Sequence, residues 1–117
     1  MATKDALIEF CRALPGATED VKWGKDLILS VGGKMFAGFQ LPEGEPLAFK
    51  VDPLDFDGLV ARKGIVPAPY MAHHSWVSVP ERARVPATTL KKLLTESHRL
   101  VAEKLSKKAR QAMGFMA

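Results

Sequence analysis

The sequence predicts an α+β fold: an antiparallel sheet of about four to six strands with helices packed on one face. Three observations lead there. Apolar residues recur at helical spacing near both ends of the chain, short alternating segments fill the middle, and Gly32-Gly33 joins two of those segments as a two-residue hairpin loop. At 117 residues the chain suits one core, so residues 1–117 are read as a single domain. Its composition, 47% hydrophobic and 26% charged, is that of a folded protein and not of a disordered one.

The elements follow in the order α-β-β-β-β-α-β-α. Thr3 caps a first helix whose Leu7, Phe10, Cys11 and Leu14 form one buried stripe, and Pro15-Gly16 stops it. Val21 to Trp23 reads as a short strand. Leu27 to Val31 and Lys34 to Leu41 flank the glycine pair, whose residues tolerate the positive φ of a tight hairpin. After the breakers Pro42 and Pro46, Leu47 to Val51 alternates as a half-buried strand should. Asp52 followed by Pro53 is a helix start, since the carboxylate accepts a first-turn N–H and proline has none to lose. Phe56, Leu59 and Val60 are the buried stripe of this second helix, Arg62-Lys63 complement the end of its dipole, and Gly64 suits the left-handed residue after it. Pro67-Ala68-Pro69 is a stiff, extended passage leading to a strand at Trp76 to Val79. From Ala87 to Leu105 the residues Leu90, Leu93, Leu94, Leu100, Val101 and Leu105 trace one face of a long last helix.

No apolar run approaches the roughly 18 to 20 residues of a membrane span, and the opening MATKDALIEFCRAL lacks the pattern of a secretory leader, so a cytoplasmic address is expected. The single Cys11 has no internal disulfide partner and falls on a buried stripe, as a small core residue does. The net charge of +4 is uneven: residues 81–117 hold nine Lys or Arg against three acids, while residues 1–80 hold eight against ten. A basic end of this kind attracts polyanions.

Lys22 and Lys25 flank the first strand turn, Lys34 sits at the hairpin tip, and Arg82 and Arg84 lie in the loop between Pro80 and Pro86, so two projecting basic loops can meet phosphates. The chain has no Arg-rich recognition helix, no paired Cys/His set for zinc and no ribonucleoprotein aromatic signature. His73 and His74 are adjacent on an extended segment and point to opposite faces, so they do not share a metal ion. Asp52, Asp55 and Asp57 are read as a cap and early-turn acids instead of metal ligands. Gly32-Gly33-Lys34 lacks the spacing of a phosphate loop. No catalytic constellation, metal site or cofactor is expected, and His98 is read as a satisfied structural histidine beside a buried face.

The segments LPGA (14–17), VGGKMFAGF (31–39), FKVDP (49–53), PAPYMAHHSWVSV (67–79) and KKLLTESHRLVAEKLSKKAR (91–110) together resemble the YjbR/MmcQ family of small bacterial proteins. Tyr70, His74 and Trp76 stand at that family's aromatic and histidine positions. The resemblance implies a frataxin-like α+β fold and the family's "double wing" DNA-binding label, which defines no catalytic residue. The resulting expectation is a non-enzymatic protein that binds double-stranded DNA through Lys22, Lys25, Lys34, Arg82 and Arg84, with weak sequence preference. The alternative is a small-ligand or protein-binding module with a groove near Tyr70, His74 and Trp76.

Overall fold

The computed structural model of the protein describes residues 4–22, 26–40, 47–62, 64–68, 75–80 and 85–105, with the backbone alone at residues 4, 22 and 40. Its elements are α1 (Lys4–Arg12), β1 (Ala17–Lys22), β2 (Asp26–Val31), β3 (Lys34–Gln40), β4 (Leu47–Lys50), α2 (Pro53–Val60), β5 (Val66–Pro67), β6 (Trp76–Val79) and α3 (Ala87–Glu103). The strands form one antiparallel sheet in the order β1-β2-β3-β4-β6-β5. This is the α+β architecture that the sequence predicts, with two differences in its strands.

One difference is β5, which the prolines disguise: Val66 pairs with Ser78 and Pro67 with Val77 at the rim of the sheet, where a missing N–H costs no ladder bond. The other is β1, which starts at Ala17 and not at Val21. Thr18, Glu19, Asp20 and Val21 are all exposed, so this outer strand carries no apolar alternation for a pattern to detect.

Cross-strand pairs define the core face. Leu27 lies opposite Phe39, Leu29 opposite Ala37, Phe49 opposite Ala37 and Val77, and Leu47 opposite Phe39 and Val79; all are buried in one cluster with Leu7 and Cys11 of α1 and Leu90, Leu94 and Val101 of α3. Phe36 is the extra residue of a bulge, because Leu29 pairs with Ala37 while Ser30 pairs with Met35. The bulge turns two consecutive residues, Phe36 and Ala37, into the core. The intervening residues Ile28, Gly38, Ala48, Lys50, Trp76 and Ser78 point to the other face.

The helices pack from the core side. The predicted stripe of α2 is only half-buried at Phe56, Leu59 and Val60, and α2 has no fully buried residue. Its Asp52 cap is as expected, with Oδ1 accepting the Leu54 N–H at 2.8 Å. The helix ends at Val60, so the expected dipole partner Arg62 lies beyond the last turn, and Lys63 is outside the described residues. Gly64 adopts φ 92° as expected. In α1, Leu7 and Cys11 are buried and Phe10 is half-buried at its flank, whereas Leu14, expected on the same stripe, is half-buried beyond the helix end at Arg12.

Candidate nucleic-acid interface

The antiparallel register sorts the cations between the two ends of the sheet. Lys34 opens β3 opposite Val31, is exposed, and follows Gly32 (φ 60°) and Gly33 (φ 80°), the left-handed pair expected at the hairpin tip. Lys22 pairs with Asp26 at the other end of β2. At ~3.3 Å of rise per residue, Lys22 and Lys34 are held about 16 Å apart. Lys25, Arg82 and Arg84, with Tyr70, His73 and His74, lie outside the described residues.

Two lysines outside the five expected from the sequence bear on the candidate interface. Lys50 closes β4, next to the opening of β3, and Lys104 follows α3. Burial lowers the pKa of Lys50, and repulsion from the Lys104 charge lowers it further. Register thus puts Lys34 and Lys50 at one end of the sheet, with Lys104 within electrostatic reach of Lys50. Sequence reading missed Lys50 because it looks like one polar member of an alternating strand. It set Lys104 aside because cations in a last helical turn have a sufficient dipole explanation.

Trp76 is at the same end, cross-strand from Lys50, and is 6% exposed. Its carbonyl accepts the Ala68 N–H at 3.0 Å. Immediately before it, Ser75 holds φ 65°, and among the described residues it alone is a non-glycine at positive φ; its carbonyl accepts the Val51 N–H at 2.8 Å. A non-glycine residue in this region costs on the order of 1–2 kcal/mol.

Two arginines, the thiol and a histidine are tied up. The Arg12 guanidinium binds Glu19 in bidentate fashion and also Glu9, and these carboxylates raise its pKa. Arg99 is held by Glu96 and Glu103 on α3. Burial pushes the Cys11 thiol from 9.0 up to about 12, so it is no nucleophile. His98 is buried, stands edge-on to Phe36 with ring centroids 5.2 Å apart, and places Nε2 at 2.7 Å from the Pro15 carbonyl. A carbonyl only accepts, so Nε2 carries the proton; the expected structural role holds. Among the described residues, no group of three His, Cys, Asp or Glu side chains is placed to hold a metal ion, and no helix is long and apolar enough to cross a membrane.

The sheet has a second notable place, an acidic groove between α1 and β1 lined by Asp5, Glu9, Arg12, Glu19 and Asp20 over apolar residues. The i, i+3 spacing of Glu9 and Arg12 is visible in sequence. The approach of Glu19 and Asp20 is not, because it depends on where β1 lies.

Known structures share this architecture. A Deinococcus radiodurans protein with a DUF419 domain superposes with a TM-score of 0.87 at 29% identity, covering 99% of this chain and 91% of its own. A Pseudomonas syringae protein superposes with a TM-score of 0.72 at 17% identity, covering 86% of this chain and 99% of its own, and so shares the fold. No curated protein matches. Residues 12–100, which span the bulged sheet and most of α3, match the YjbR family. The chain belongs to the YjbR family.

Proposed function

We propose that the protein is a non-enzymatic, cytoplasmic DNA-binding domain that meets the phosphates of double-stranded DNA through lysines and has weak sequence preference. The observation that carries this reading is the placement of Lys34 and Lys50 at one end of the sheet, with Lys104 in electrostatic reach of Lys50 and Lys34 exposed at a hairpin tip as on a wing. Lys34 and Lys104 have no carboxylate partner among the described residues, whereas Arg12 and Arg99 are each held by two. These two lysines are flexible point cations, which suit phosphates and not base edges. Lys25, Arg82 and Arg84 remain part of the proposed interface, and Lys22 would meet the duplex at a separate point.

Titration of duplex DNA at several salt concentrations tests this. If about three phosphates are neutralised, the slope of log affinity against log salt is about −3, and Lys34→Glu or Lys104→Glu each brings it about one unit closer to zero. Affinity for duplex DNA no greater than for polyphosphate, or a slope indifferent to both substitutions, would overturn the reading.

The strained Ser75 favours a second reading, a small-ligand or protein-binding module at Tyr70, His74 and Trp76, because backbone strain persists where surrounding structure imposes it and often marks a binding site. A metabolite screen by thermal shift checks it: at a hundred times its dissociation constant a true ligand adds about 2.7 kcal/mol. No shift and no change in Trp fluorescence would remove it.

A further inference from the structure

The two rims of the sheet are finished differently. On one side β5 has two residues and contains Pro67, which removes a donor and blunts the edge. On the other side β1 has six residues, no proline, and exposed side chains from Thr18 to Val21, so alternate backbone N–H and C=O groups face outward. Next to this open edge, α1 and β1 enclose a groove of about 660 Å³ whose floor is Ile8, Val21 and Leu27. Val21 is 51% exposed there, an apolar side chain without a cover.

The charge along the groove has one dominant sign. Among the described residues, Asp5, Glu9, Glu19 and Asp20 stand against Arg12, and that guanidinium is already shared by Glu9 and Glu19. A second copy of β1 pairing edge to edge would bring Glu19 and Asp20 of both copies together, and like charges across a strand pair repel. DNA is repelled for the same reason, so this surface is distinct from the lysine end.

We propose that the β1 edge binds an extended cationic segment of a partner polypeptide by strand addition. The segment's backbone pairs with Thr18 to Val21, its Lys or Arg side chains meet Asp20 on the face away from the helices, and the alternate apolar side chains cover Val21 and Ile8 on the α1 face. Backbone pairing supplies the affinity, and the alternation of charge and apolar bulk supplies the choice of partner.

The test is titration of the full chain with an acetylated, amidated heptapeptide of alternating lysine and valine, followed by amide NMR shifts and calorimetry. Binding is expected with shifts concentrated on residues 17–22 and on α1, and a glutamate–valine peptide is expected not to bind. Methylating the peptide's alternate amide nitrogens, which removes strand donors but keeps every charge, should weaken binding about tenfold or more. Asp20→Lys should do the same, and the milder Asp20→Asn should give a smaller loss. Unchanged affinity of the methylated peptide would leave only charge attraction and overturn strand addition. Shifts away from β1 would overturn the site.

Discussion

At the scale of single residues, Ser97 carries the heaviest structural duty of any polar side chain described. It is fully buried on α3, accepts the Lys50 N–H at 3.0 Å and donates to the Phe36 carbonyl at 2.6 Å. Ser97→Ala removes both of these bonds and should cost about 2–3 kcal/mol in urea unfolding, with an unchanged m-value. Cys11 makes a pH-dependent contribution. Its folded pKa of about 12 exceeds the unfolded 9.0, so its contribution to stability is complete below pH 9 and is lost as pH rises toward 12. Wild-type stability should therefore fall more steeply than that of Cys11→Ala above pH 9, by about 1.4 kcal/mol per pH unit. Ser75→Gly removes the cost of the left-handed backbone and should raise stability by up to about 1 kcal/mol, read from the thermal midpoint. The cap Asp52, the thiol and His98 were all legible in the sequence because each rests on local spacing. Ser97 was not, since its partners stand 47 and 61 residues away and a lone serine in a helix gives no sign of them.

At the scale of elements, the Gly32-Gly33 hairpin was the most legible feature, because its requirement for positive φ at two successive residues is met by almost nothing else. A Cβ on Gly33 would find nothing within 4 Å, so the cost of Gly33→Ala is conformational alone, about 1–2 kcal/mol, and Gly33→Asn should recover part of it. Denaturant titration of the two variants separates these outcomes. The elements that escaped the sequence are those whose patterns are diluted by position: β1 is polar because it is exposed, and β5 is short and proline-bearing because it is the blunted rim. Register escaped it as well. Lys22 and Lys34 look like equivalent tips of successive turns in the chain, yet antiparallel pairing sends successive turns to opposite ends of a sheet.

At the scale of the whole molecule, α3 unites the domain. It lies across β2, β3 and β4 from the core side and touches α1. α2, without a buried residue, and the two-residue β5 are its lightly held parts. Hydrogen exchange should accordingly be slowest in β3, β4, β6 and the middle of α3, and fastest in α2; equal protection throughout would refute this hierarchy. The fold class and chain order were legible because they need only periodicity and breakers, whereas the placement of Lys34, Lys50 and Lys104 needed three-dimensional closure. The serine bridge has a consequence for how the chain assembles. One rung between neighbouring strands is supplied by a hydroxyl from a helix that comes last in the sequence, so the sheet cannot be fully knitted until that helix arrives. Strand zipping and helix docking are thereby fused into a single step, and a ribosome-bound chain lacking its final segment is left with an open stitch at the centre of its sheet.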